Sequence, residues 1–184
     1  MRKIVAVEFM SLDGVVEAPN EWHFPYFNDE MGEAVGGQMA GADALLLGRV
    51  TYEGFAAAWP ERGDEEPGAA QINRMQKYVV TSTLATADWQ NSAILKGDLA
   101  EEMARIKALP GKNIWISGSI RLVQSLLAQG LLDELHLLIH PILVGKGQKM
   151  FGDGEQLPLE VVESKIFQNG VVSAVYRPAG NEEK

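Results

Sequence analysis

Short apolar runs alternate along this chain with segments whose apolar residues recur every three or four positions. The runs at 3–9, 43–47, 77–81, 92–95, 113–117, 132–143, 159–167 and 171–177 read as strands. Between them, Met31, Val35 and Met39 recur every four residues in 28–40, with Asn28 placed to cap a helix there. Residues 98–107 open on Asp98 with Glu101 three positions later, the spacing of a capping box. In 119–129, Ile120, Val123 and Leu127 share a side with Leu122 and Leu126 beside them, and the pattern stops at Gly130. After Gly130 strands follow one another, and Asn169-Gly170 marks a hairpin between the last two. The pattern predicts an α/β fold: a mainly parallel central sheet, helices on both faces, and antiparallel strands at the C-terminal end. Residues 1–178 read as a single domain, 60–70 and 178–184 as flexible loops, and 179–184 as a disordered tail.

A chain of 184 residues that is 46% hydrophobic suffices for one full core. No apolar run approaches a membrane span, and Ile4–Val7 is too short for a secretory core, so it reads as the first strand. The formal charge of −9 argues against a nucleic-acid partner, which requires a basic face. With no cysteine there are no disulfides or cysteine metal sites, and a cytoplasmic location is expected. The acid is unevenly placed. No lysine or arginine falls between Lys3 and Arg49, while Glu8, Asp13, Glu17, Glu21, Asp29, Glu30, Glu33 and Asp43 all do.

Three strand-to-helix junctions carry candidate chemistry. In Leu47-Gly48-Arg49-Val50-Thr51 an apolar run stops at a glycine, and a guanidinium and a hydroxyl follow at a helix start. Val80 is followed by Thr81, Ser82 and Thr83, and Ile116 by Ser117-Gly118-Ser119-Ile120-Arg121. Glycine lets a backbone approach a phosphate, and a helix N-terminus supplies oriented N–H donors. Each junction alone is also ordinary turn and cap chemistry; three in one chain point to a nucleotide. Neither a Walker lysine motif nor Gly-x-Gly-x-x-Gly is present. His136 and His140 share a strand face without a third ligand in view, so no metal is expected.

Gly48-Arg49-Val50-Thr51 resembles the NADPH-binding junction of dihydrofolate reductases, and Ser117-Gly118-Ser119 their second glycine motif. Leu132-Asp133-Glu134-Leu135-His136-Leu137, followed by Pro141-Ile142-Leu143-Val144-Gly145-Lys146-Gly147, resembles the C-terminal reductase domain of the bacterial riboflavin-biosynthesis deaminase–reductase. Ser11-Leu12-Asp13-Gly14 is similar to stand-alone proteins of that group. The resemblance implies a dihydrofolate reductase-like fold that binds NADPH. It implies that Arg49, Thr81, Ser82 and Thr83 hold the 2′-phosphate. Gly48 and Thr51 then flank the pyrophosphate on one side, and Gly118, Ser119, Ile120 and Arg121 on the other. Asp13 and Gly14 fall in the loop over the nicotinamide. The family also implies a cis bond at Gly118-Ser119.

The chain departs from both relatives where substrate belongs. Dihydrofolate reductases place a carboxylate two residues beyond a proline, and here Pro25 leads to Phe27. The deaminase zinc site has no cysteines to build it. A phosphorylated pyrimidine calls for a cation in the cleft, yet residues 10–35 hold no lysine or arginine. The expected substrate is therefore a neutral or weakly basic heterocycle against Trp22, Phe24, Tyr26 and Phe27, with Asp13, Asp29 and Glu30 as the nearest acids. The expected activity is NADPH-dependent reduction, related to the riboflavin-pathway reductase; the alternative is an NADPH-binding module with little turnover. Apolar residues on both faces of 132–143 suggest a homodimer.

Overall fold

The computed structural model describes residues 1–63, 66, 68–152, 154 and 156–180. Its strands are β1 (Ile4–Ser11), β2 (Ala42–Gly48), β3 (Gln76–Val80), β4 (Ser92–Leu95), β5 (Asn113–Ile116), β6 (Glu134–His140), β7 (Leu159–Ile166) and β8 (Val172–Pro178). The helices are α1 (Asp29–Ala40), α2 (Arg49–Ala58), α3 (Ala69–Arg74), α4 (Leu99–Ala108) and α5 (Ile120–Ala128). The strands form one sheet in the order β4-β3-β2-β5-β1-β6-β8-β7. Neighbours from β4 to β6 run parallel, and β8 pairs antiparallel with both β6 and β7. This is the α/β architecture that the apolar pattern predicts.

Alternation along β1 sends its residues to two cores. Ile4, Ala6 and Met10 pack with Met103 and Ile106 of α4 and Val123 and Leu126 of α5. Val5 and Val7 pack with Leu45, Leu47, Tyr52 and Ile72, on the side of α2 and α3. A third cluster joins Met31 of α1 to Leu138, Phe167 and Val171. The expected caps are present: Asn28 accepts from the Met31 N–H at 3.0 Å, and Asp98 from those of Ala100 and Glu101.

Some expectations change. Helix α3 falls partly in the segment expected to be a loop; Ala69 and Ile72 are its buried residues, too few to give a visible period. Asp64, Glu65, Pro67 and the tail from 181 lie outside the described residues. The strand expected over 132–143 is shorter, because Leu132 and Asp133 lead into it and Pro141 ends the pairing. Its apolar faces are covered within the chain, Leu135 and Leu137 by one core and Leu138 by another. The pattern that suggested a second subunit is thus satisfied by α1 and α5. The Gly118–Ser119 bond is trans, not cis; the turn bends through consecutive positive φ angles of 72° and 58° instead.

Candidate functional site

Helix α2 leaves β2 toward one face of the sheet, and α5 leaves the adjacent β5 toward the other. Neighbouring parallel strands with connections to opposite faces open a crevice at their carboxyl ends, where α/β proteins bind ligands. Here the first and third junctions meet. The Gly48 N–H donates to Ser119 Oγ at 2.9 Å, and the Ser119 N–H to Thr51 Oγ1 at 3.0 Å. A Cβ on Gly118 would come within 3.3 Å of Thr51 Cγ2, at a φ of +72° that side chains rarely adopt. The turn therefore requires glycine.

Neither helix has a side-chain cap, so no side chain satisfies the first-turn N–H groups at the positive dipole ends of α2 and α5. Arg49 and Arg121 stand at those ends. The Arg49 guanidinium pairs with Glu53 at 2.9 Å, both about half exposed. Such a pair contributes at most about 1 kcal/mol, so Arg49 can exchange Glu53 for another anion at little cost. Thr81, Ser82 and Thr83 follow β3, one strand beyond β2. Thr81 Oγ1 accepts from the N–H groups of Thr83 and Leu84, which shapes the turn, while Ser82 and Thr83 are exposed. These groups suit an anionic dinucleotide.

The acids near the first loop have structural partners. Asp13 accepts from Ser11 Oγ at 2.6 Å and from the N–H groups of Gly145 and Val144 at 2.8 and 3.0 Å. These bonds, the Ser11 hydroxyl foremost, hold its pKa down at about 2. Gly14, with a φ of +86°, turns the same loop, and its carbonyl accepts from Met150 N–H. Glu30 accepts from the Gln168 N–H and pairs with Lys165, and both lower its pKa. Asp29 is exposed in the first turn of α1.

The aromatic segment folds as a wall. Trp22 is buried and donates Nε1–H to the Glu17 carbonyl, Tyr26 is half-buried, and Phe24 and Phe27 are exposed. Phe9, His23 and His140 join them, although no sequence pattern marks them as a group. Phe9 stacks on His23 with centroids 4.6 Å apart, and the edges of Trp22 and Tyr26 meet His140 at 5.2 and 5.6 Å. His140 Nδ1 lies 2.8 Å from the Leu138 carbonyl, which only accepts, so Nδ1 carries the hydrogen and Nε2 is a bare acceptor. That Nε2 and the Nδ1 of His23 are buried without partners. Burial lowers both pKa values, His23 further through the His140 charge, while the Leu138 and Met10 carbonyls oppose the shift at His140. Two neutral imidazoles among flat rings suit a planar heterocycle bearing N–H or O–H groups. The available signals were the histidine inside Trp22–Phe27 and the strand position of His140.

His136 pairs instead with Glu134 at 3.0 Å, and no group of three or more metal-ligating side chains occurs among the described residues. A cavity of about 1000 Å³ lies between α2, α3 and residues 84–90 and shares no lining residue with the aromatic wall. The strand ends hold the convergent donors, so they are the better candidate site. No helix among the described residues is long and apolar enough to cross a membrane.

This fold is that of the dihydrofolate reductase-like proteins. Dihydrofolate reductase from Enterococcus faecalis, complexed with NADP(H), superposes with a TM-score of 0.64 at 16% identity, covering 96% of each chain. A putative riboflavin biosynthesis protein from Shewanella sp. PV-4 gives 0.75 at 21% identity, covering 96% of this chain and 98% of that one. RibD of Acinetobacter baumannii gives 0.63 at 18% identity, and the match spans 58% of its length. Residues 2–173 match the RibD C-terminal domain model, and the chain belongs to that family of reductase-related domains. The uncharacterized protein YyaP of Bacillus subtilis (strain 168) is 31% identical over 95% of this chain and 94% of its own.

Proposed function

We propose that the protein is an NADPH-dependent reductase of a small, neutral or weakly basic heterocycle. The observation that carries this reading is the cross-linked pair of uncapped helix N-termini at Gly48–Thr51 and Gly118–Arg121. Arg49, with Ser82 and Thr83 at the end of the neighbouring strand, takes the 2′-phosphate. The first-turn N–H groups of α2 and α5 take the pyrophosphate. When bound, NADPH supplies a hydride. The chain's own part is to hold the acceptor against Trp22, Tyr26, Phe24 and Phe27 and to orient it through His23 and His140. Neither Asp13 nor Glu30 is a ready proton donor, because both are held ionised. Water or an imidazole can supply the proton in their place.

NADPH and NADH binding measured side by side, then oxidation with a panel of heterocyclic acceptors, tests the reading. Arg49→Ala is expected to weaken NADPH on the order of tenfold while leaving NADH nearly unchanged. Equal loss for both would mean that the 2′-phosphate lies elsewhere. The locked acids favour a second reading, an NADPH-binding module with little turnover. It predicts binding without oxidation across the whole panel. We also propose a homodimer in solution, supported by Val161, Val162 and Ile166, which lie exposed on the edge strand β7. A monomeric mass by light scattering at micromolar concentration would remove it.

A further inference from the structure

Glu8 is the only acidic residue among the described residues that is buried, at 4% exposure. It lies where the sheet opens. Strand β1 pairs with β5 only through Ile4, Val5 and Ala6, whereas on its other side it pairs with β6 as far as Ser11. Beyond Ala6 the two strands part, and the Glu8 side chain spans the gap. Its Oε2 accepts from the Gly118 N–H at 3.1 Å, and its Oε1 is buried with no partner. Burial pushes its pKa well above the carboxylate range, against the opposing Gly118 bond. In a neutral carboxyl the carbonyl oxygen is the better acceptor, so Oε2 takes that role. Oε1 is then a hydroxyl with nothing to donate to. An orphaned buried donor destabilises the fold, and a ligand that pairs with it removes that penalty.

The order of the strands says which ligand group arrives there. The 2′-phosphate groups stand over β3 and the beginning of α2, and the pyrophosphate groups over β2 and β5. A dinucleotide laid across these points continues to the next strand, β1, roughly 14 Å from β3 at the usual strand spacing. Its nicotinamide end falls at the opening between β1 and β5. We propose that Glu8 is the binding residue for the nicotinamide carboxamide, donating Oε1–H to the amide oxygen while Oε2 keeps the Gly118 turn in place. This inference rests on the NADPH reading above and names a contact that the reading does not require.

The test compares two probes on three proteins: NADPH, and 2′-phospho-ADP-ribose, which has the phosphates but no nicotinamide. Wild type is expected to bind NADPH more tightly. Glu8→Leu is expected to weaken NADPH about ten- to thirty-fold and to leave 2′-phospho-ADP-ribose within about threefold. Glu8→Gln mimics the neutral acid, with one donor and one acceptor face, and is expected to retain NADPH within about threefold. Equal weakening of both probes by Glu8→Leu would mean that Glu8 only props the turn, which overturns the proposal. So would wild type binding both probes equally, an outcome that leaves the phosphate corner standing. Wild type binding neither probe would overturn the NADPH reading and this inference with it. Should Glu8→Leu not fold, Glu8→Ala under the same two probes decides by the same criteria. An independent arm on wild type replaces the NADPH carboxamide with a hydrogen: unchanged affinity would overturn the proposal.

Discussion

Thr51 sits at the meeting point of two helices, and its hydroxyl accepts the N–H that would otherwise leave Ser119 unpaired. Thr51→Val keeps the shape and removes the acceptor. It is expected to cost about 1–3 kcal/mol in urea unfolding, because a partly buried N–H loses its partner. A change below about 0.3 kcal/mol would show that water replaces the hydroxyl. Lys77 is a second test at this scale. Fully buried on β3, it donates to the Asn73 and Gln90 carbonyls and lies 4.2 Å from the Trp89 ring centroid. Burial lowers its pKa from 10.5 to about 8. The folded state therefore releases this proton before the unfolded chain does, and its stability gains as pH rises from about 8 to 10.5. Relative to Lys77→Met, wild type is expected to become more stable over that window; a difference independent of pH would contradict it. Gly48, Arg49 and Thr51 stand out in the sequence because they fall within four residues at one junction. Glu8 and His140 do not, because what distinguishes them is an unpaired atom, and pairing is decided by distant residues.

The loop after β1 and the segment after β6 behave as one element. Leu12 N–H donates to the Ile142 carbonyl, Val16 N–H to that of Gln148, and Asp13 binds Val144 and Gly145. Gln148 N–H donates in turn to Glu17. Asp13 was readable as a loop residue, but its role as an anchor depends on contacts 131 and 132 positions away in sequence. Its folded pKa of about 2 lies below the ordinary value of 3.8, so its stabilisation is complete above about pH 4 and fades as pH falls toward 2. Asp13→Asn is expected to be less stable than wild type at pH 7, with the gap closing near pH 2. Faster amide exchange in both 12–17 and 142–148 should accompany it. Exchange confined to the first loop would mean that the two segments are held independently. Helix α1 is tied in the same long-range way, through Glu30 to Lys165 and Gln168 of the C-terminal hairpin.

At the scale of the molecule, one sheet supports both cores, and α5 supplies much of the larger one. Leu126 is fully buried there. Leu126→Ala is expected to cost about 2–5 kcal/mol and to lower the melting temperature without changing the fold; a loss under 1 kcal/mol would show that this core is loosely packed. The sequence by itself determined which segments are strands, because a period of two and a period near four are local signals. It also determined the glycine, arginine and hydroxyl residues at each junction, because turn and cap chemistry acts over a few residues. Only the tertiary structure decided which junctions meet. Ser119 comes to Gly48 across 71 positions, and Gly118 to Glu8 across 110. Periodicity reports which face a residue presents, but not which neighbour will lie against it. The strand order settles that: inserting β5 between β2 and β1 brings two helix N-termini together and leaves one carboxyl oxygen unpaired at the opening beside them.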